Sequence, residues 1–313
     1  MTGSVVDLAS AAIDEAERGR IAASDSLVRH AIAAAEALPA EAGRGAALAA
    51  AYGALGTLER TLGRYTLATD AFQRALALAE DAFGPASAEA ACLLNDLGMT
   101  AKYAGHYVEA ATAYGRARVI VEALAEPDPE DVAALYHNLG GLAHARGDFA
   151  TAEPLARRAI ELRSAAVGPR HPATLLDRSA HAAILDALGR SAEAEASLRA
   201  LLEPLSVALG DDHPEVAVAL NNLAAIVQRR GDRTQAEALY RRVLAIRTAC
   251  FGEDSPRLAV TLSNLGTVVR AEGRPDEANM LYERALELLT GSVDAAHPTL
   301  LAVRGNLARL RSA

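Results

Sequence analysis

The chain has 313 residues, of which 51% are hydrophobic and 4% are aromatic, and its formal net charge at pH 7 is −9. The apolar content excludes a disordered chain, and the acidic balance argues against a general binder of nucleic acid or anionic membranes. The two cysteines, Cys92 and Cys250, lack the spacing of a thiol zinc site or a disulfide framework.

The sequence contains neither the pattern of a secretion signal nor an apolar segment long enough to span a membrane, so we expect a cytoplasmic protein without membrane contact. Lys102 is the one lysine in a chain rich in arginine, which is typical of a GC-rich bacterial genome. We expect no cofactor and no bound metal. The sequence leaves the oligomeric state open, with a monomer as the expectation.

The chain begins with a degenerate helical hairpin, predicted over residues 4–40 and turning at Gly19. From residue 45 a 42-residue period follows, marked by glycines that stand where one helical pattern stops and the next begins. We call these residues the loop glycines: Gly63, Gly105, Gly147, Gly189, Gly231 and Gly273. Six full repeats over residues 45–296 and a capping helix over 297–313 make the predicted single domain 1–313.

Other residues keep the same period. Alanine always stands five positions after the loop glycine, and a small residue always stands seven positions before it. The ninth position after it is large in most repeats: Phe72, Tyr114, Leu198, Tyr240 and Tyr282. Because small residues let two helices approach and large ones fill the remaining space, each repeat is predicted to be a helical hairpin.

The pattern resembles the tetratricopeptide repeat, in which a small residue, a loop glycine, an alanine and an aromatic residue take the same offsets. Residues 220–224 (LNNLA) and 240–244 (YRRVL) strengthen the resemblance. The long period resembles the kinesin-light-chain type, as do three histidine-proline pairs at His171, His213 and His297. The resemblance covers residues 45–313 and implies an all-α fold, a right-handed α-solenoid of antiparallel hairpins with a concave ligand groove.

A helical wheel places positions 13, 10, 9, 6, 3 and 2 before the loop glycine on the side of the first helix opposite its core residues. The ninth position holds Asn138, Asn222 and Asn264, and the tenth holds Asn95 and Asn221. The resemblance implies that asparagines at the ninth position bind the backbone of a peptide. The alternative is that these amides cap or bridge adjacent helices.

The third position before the loop glycine carries several basic side chains and is predicted to face the same groove. Its residues are Arg60, Lys102, His144, Asp186, Gln228 and Arg270, with Tyr103 and Arg229 one place later in their repeats. A basic stripe in an acidic protein predicts an acidic or carboxylate-bearing ligand. The alternative is that these side chains pair with neighbouring carboxylates of the protein itself.

The chain contains no phosphate-binding loop, dinucleotide fingerprint, nucleophile elbow or zinc-protease helix. One irregular region remains, because His137 and His144 lie on one first helix and Asp186 lies on the next. A pocket there could bind a metal or perform acid–base chemistry.

We therefore hypothesise a non-enzymatic module that holds a protein or peptide segment in its groove, as a scaffold or as a peptide-responsive regulator. The alternative is a protein that binds or modifies a small molecule through the irregular pocket at repeats four to five. The sequence identifies neither the ligand nor the pathway.

Overall fold

The computed structural model describes residues 2–293, 295 and 297–312, which form helices and turns and contain no β-strand. Two single 3-10 turns occur at Ala40–Ala42 and Pro256–Leu258. The predicted all-α fold is confirmed. The α-helices of the described residues are α1 (Thr2–Glu17), α2 (Ile21–Glu36), α3 (Arg44–Thr61), α4 (Tyr65–Phe83), α5 (Ala88–Ala104), α6 (Tyr107–Ala123), α7 (Pro129–Ala145), α8 (Phe149–Val167), α9 (Pro172–Ala187), α10 (Ser191–Leu209), α11 (Pro214–Arg230), α12 (Arg233–Phe251), α13 (Ala259–Ala271), α14 (Pro275–Leu289) and α15 (Pro298–Arg311).

Each loop glycine joins the first and second helix of one hairpin. Gly63 and Gly231 have φ angles of 76° and 97°, a left-handed conformation that glycine adopts without the steric cost of a Cβ. Gly19 makes the equivalent turn between α1 and α2, with a φ of 78°. The N-terminal hairpin therefore turns where the sequence predicts, although its helices span 2–36 rather than 4–40.

The chain divides into two compact units, Met1–Asn138 and Leu139–Ala313, which we call unit 1 and unit 2. In unit 1 the N-terminal hairpin packs on α3 through Val5, Val28 and Leu58. In unit 2 the core runs through α9 to α14 and includes Leu198 and Tyr240, both fully buried. The single domain predicted for residues 1–313 stays a prediction.

The hairpins are held together by the predicted pairing of small and large residues. A Cβ added to Gly98 would lie 2.5 Å from the ring of Tyr114, and one added to Gly266 would lie 2.8 Å from the ring of Tyr282. Both tyrosine side chains are fully buried and have no room to move away. Glycine at these positions is thus required by the aromatic ring that lies over it.

None of the described helices is both long enough and apolar enough to cross a membrane.

The substitution Gly98→Ala tests the pairing of small and large residues. We expect it to lower the free energy of unfolding by about 1–3 kcal/mol, since the added methyl group overpacks the Tyr114 ring. Gly115→Ala is the matched control, because Gly115 lies inside α6 with open space around it. The control should raise the unfolding free energy by about 0.5–1 kcal/mol through helix propensity. Urea denaturation that shows equal effects for the two variants would contradict this packing.

Candidate functional site

In each unit the candidate site is the surface formed by positions 13, 10, 9, 6, 3 and 2 before the loop glycines, which we call the first-helix face of that unit. Its predicted residues differ in exposure. Tyr103, Arg229 and Arg270 are exposed, whereas Arg60 and Asn138 are only 9% and 7% exposed. The remaining predicted residues are half-buried: Asn95, Lys102, His144, Asn221, Asn222, Gln228 and Asn264.

Two of the three predicted asparagines at the ninth position, Asn138 and Asn222, bridge adjacent first helices. The Asn138 Nδ2 group donates to Asn95 Oδ1 at 3.0 Å. The Asn222 Nδ2 group reaches both the carbonyl oxygen and the Oγ of Ser179 at 3.4 Å. In each case the partner lies 43 residues earlier, at the tenth position of the preceding repeat. Asn138 and Asn222 thus make the contacts that the bridging alternative describes, which we call inter-repeat rungs, and their role in ligand binding stays a prediction.

A further rung joins the last helix to its neighbour, because Asn306 Nδ2 lies 3.3 Å from Ser263 Oγ. The equivalent partner for Asn264 is Asn221, and here the rung is not made. The Asn221 Oδ1 atom is buried and accepts no hydrogen bond within the described part of the chain. A buried amide oxygen without a hydrogen-bond donor lowers the free energy of unfolding. The Asn221 position is therefore less stabilising than the positions at which a rung forms.

In unit 1 the basic residue Arg60 is engaged by the protein itself. Its Nη2 atom lies 3.7 Å from Asp96 Oδ1, and its Nη1 atom donates to Met99 Sδ at 3.4 Å. Burial raises the pKa of Asp96 to about 6, although the nearby Arg60 guanidinium opposes this shift. Arg60 Nε is buried with no acceptor among the described residues. Arg60 therefore contributes less to a ligand-binding stripe than its position in the sequence predicts.

Lys102 and Tyr103 form an accessible cluster with Tyr65, the first residue of α4. The Lys102 Nζ atom lies 5.3 Å from the centre of the Tyr103 ring. That ring stacks on Tyr65, with centroids 6.4 Å apart and an interplanar angle of 16°. Sequence reasoning missed Tyr65. The available signal was an aromatic residue two positions after the loop glycine, at Tyr65, Tyr107 and Phe149.

In unit 2 the carboxylate of Asp186 already has two partners. It is paired with Arg229, and its Oδ1 atom accepts a hydrogen bond from Ser191 Oγ at 2.7 Å. The His144 ring packs against Phe149 with centroids 5.4 Å apart. Across the described ranges no group of three His, Cys, Asp or Glu residues is arranged to hold a metal ion. The irregular acid–base pocket, to which His137 on α7 was also assigned, stays a prediction.

Gln228 has a structural contact as well, because its Oε1 atom accepts a hydrogen bond from the Tyr240 hydroxyl at 3.1 Å. Tyr240 is the large residue of the same repeat and is fully buried. The hydroxyl of a buried tyrosine needs a hydrogen-bond partner, and Gln228 on the first-helix face provides it.

A double-mutant cycle on Asn95 and Asn138 measures one rung. We expect a coupling free energy of about 1 kcal/mol between Asn95→Ala and Asn138→Ala, the usual net value of a buried hydrogen bond. The matched control is the cycle of Asn221→Ala and Asn264→Ala, at the same two repeat positions but without the bond. Its coupling should stay within about 0.3 kcal/mol in the same urea titrations. Equal couplings in both cycles would show that the rung does not stabilise the stack.

Comparison with known proteins gives a family match over most of the chain. The tetratricopeptide repeat model matches residues 47–123, 131–203, 205–249, 215–291 and 257–313. No curated protein matches the sequence.

Many solved structures are similar, among them the following three. BtubC (BKLC) from P. vanneervenii is 21% identical, with a TM-score of 0.51 over 77% of this chain and 93% of that one. A Rap protein complexed with Competence and Sporulation Factor is 13% identical, with a TM-score of 0.69 over 100% and 86%. NprR in complex with its cognate peptide NprX is 12% identical, with a TM-score of 0.65 over 98% and 83%. At these identities the likeness establishes the fold. The chain belongs to the tetratricopeptide repeat family.

Proposed function

We propose that the protein is a non-enzymatic binding module that holds a protein or peptide segment in extended form along its first-helix face. The observation that carries this proposal is the row of half-buried amides, of which Asn222 is held in place by a rung to Ser179. The rung uses the amide N–H, and the Oδ1 atom of the same side chain can accept from a peptide N–H. A fixed side chain loses little entropy on binding, which favours affinity.

The spacing of the repeats supports an extended ligand. First helices of adjacent repeats pack about 10 Å apart. An extended chain advances about 3.3 Å per residue, so every third residue of such a ligand would meet the next repeat. In unit 2, Asn222 and Asn264 stand on adjacent first helices and would bind alternate parts of one backbone. The fold is similar to that of NprR, whose structure contains its cognate peptide.

The proposed segment is acidic or carries a carboxylate. On unit 1 this carboxylate would lie against Lys102, and on unit 2 it would lie against Arg270. Arg270 is exposed, and Lys102 lies over the accessible Tyr103 ring. The contribution of Arg60 and Arg229 is smaller, since Asp96 and Asp186 already face their guanidinium groups. Of the basic residues that the sequence assigns to this face, Lys102 and Arg270 are therefore the ones that we propose for carboxylate binding.

We also propose that the protein acts as a cytoplasmic bacterial monomer that binds neither nucleic acid nor membranes. The net charge of −9 and the arginine-rich, lysine-poor composition support this assignment.

Peptide selection tests the proposed function. A phage-displayed library of linear 12-residue peptides is panned on the immobilised full chain, and the dissociation constants of enriched peptides are measured by fluorescence anisotropy. The double variant Asn222→Ala/Asn264→Ala should weaken binding at least tenfold, because two acceptors for the peptide backbone are lost. Asn279→Ala on the second helix α14 is the control and should leave binding unchanged. Failure to enrich any peptide, or equal binding by the double variant, would contradict the proposal.

The dependence of binding on salt tests the charge of the ligand. Raising NaCl from about 50 to about 500 mM should weaken binding of the selected peptides, because the Debye length shrinks about threefold. Lys102→Gln should reduce this dependence. Arg118→Gln, an exposed arginine on the second helix α6, serves as the control. Binding that does not change with salt would remove the acidic segment from the proposal and leave the backbone contacts.

A further inference from the structure

Unit 1 contains a cavity of about 160 Å³ between the first helix α5, the C-terminal end of α6 and the N-terminal half of α7. Its lining includes Cys92, Asp96, Val121, Leu124, Asp128 and Asp131. Cys92 and Asp96 occupy positions 13 and 9 before Gly105, so the cavity borders the first-helix face. Sequence reasoning assigned no role to this region.

The polar part of the cavity wall is acidic. Three of its lining residues are aspartates, and no lysine or arginine is among them. The Cys92 Sγ atom donates to Asp131 Oδ2 at 3.4 Å. Burial and the nearby carboxylates raise the pKa of the Cys92 thiol, as expected for an anion placed in a negative potential. The cavity is therefore electrostatically suited to a cation.

Two repeats show that a guanidinium group can bind between a second helix and the next first helix, at a position that is apolar in the other four repeats: Ala79, Val121, Leu205 and Leu289. In unit 2, position 16 after the loop glycine carries Arg163 and Arg247, each bound to the next first helix. Arg163 Nε donates to Asp177 Oδ2 at 2.7 Å in a buried ion pair. Arg247 Nη1 donates to Thr261 Oγ1 at 2.8 Å and to the carbonyl oxygen of Arg257 at 3.2 Å. In these two repeats the space between the second helix and the next first helix is thus occupied by a guanidinium group of the chain itself.

In unit 1 the same position is Val121, which is buried and lines the cavity. Valine is too short to reach across to α7. The side-chain acceptors Asp177 and Thr261 correspond to Leu135 in unit 1, and the nearest carboxylate on α7 is Asp131, about one helical turn before Leu135. The cavity therefore combines space beside a short side chain with the carboxylate of Asp131, about one helical turn before the position at which the other two repeats bind a guanidinium group.

We propose that this cavity binds the guanidinium group of an arginine in the bound segment. A cavity of about 150 Å³ accommodates a molecule of the size of benzene, so 160 Å³ is sufficient for a guanidinium and part of its stem. Asp131 would accept its N–H groups, Asp96, which also faces Arg60, would add negative charge, and Val121 and Leu124 would contact the methylene groups. This inference rests on the proposed function and adds an arginine to the recognised segment.

Binding of a small probe tests the cavity without a known ligand. N-acetyl-L-argininamide is titrated into the ¹⁵N-labelled full chain, and N-acetyl-L-citrullinamide, its neutral isostere, is titrated in parallel. We expect the arginine probe to shift the amide resonances of Cys92, Asp96 and Val132 and to bind at least fivefold more tightly than the citrulline probe. Equal binding of the two probes, or shifts confined to other residues, would overturn the proposal.

Two variants locate the site. Val121→Arg should occupy the cavity from within and abolish probe binding. Asp131→Asn removes an exposed carboxylate, which leaves the core intact, and should weaken binding at least threefold. Asp70→Asn, on an exposed part of α4, is the control for the loss of one negative charge. If Asp131→Asn binds the probe as tightly as the wild type, the cavity is not the site.

The same measurements separate this inference from the proposed function. Probe binding that is sensitive to Asp131→Asn, in a protein that enriches no peptide, would support the cavity and contradict the peptide module. Enriched peptides whose affinity is unchanged when each arginine is replaced by citrulline would support the module and overturn the cavity assignment.

Discussion

The fold depends on the close approach of two helices at a residue with little or no side chain, seven positions before each loop glycine. At Gly98 and Gly266 a buried tyrosine ring occupies the space that a Cβ would need. The repeat of Gly147 keeps Gly140 but has Ala156 in place of the large residue, and there a Cβ would meet the backbone nitrogen of Ala156 at 3.2 Å. In both arrangements the contact fixes the offset between first and second helix, so equivalent positions recur at a constant period.

A constant period is what allows side chains of adjacent repeats to meet. Because the first helices are in register, the ninth position of one repeat reaches the tenth position of the preceding repeat, as in the bond from Asn138 to Asn95. The proposed function gives such an amide a second role, since its N–H group joins the repeats and its oxygen would accept from a ligand. A site built on such a stack is rigid before the ligand arrives, which lowers the entropic cost of binding.

The hairpins, their turns and the small-to-large pairs could be predicted from the sequence because each depends on residues within one repeat. The contacts of Arg60 and Arg229 could not, since whether a guanidinium faces solvent or a neighbouring carboxylate depends on rotamers across repeats. The missing rung at Asn221 and Asn264 likewise has no signature in the sequence. The cavity has none either, because position 16 after the loop glycine is apolar in four of the six repeats and Val121 is one of these. The volume of the cavity and its acidic lining could be found only from the side-chain positions in the structure.

The central claim is that a ligand backbone is bound by the asparagines of the first helices. The most direct test is a crystal structure of the full chain with an enriched peptide. The account predicts an extended peptide whose backbone N–H groups lie within hydrogen-bond distance of Asn222 Oδ1 and Asn264 Oδ1. A peptide bound on the second helices, or one that lies on the first helices without a bond to either amide, would contradict it.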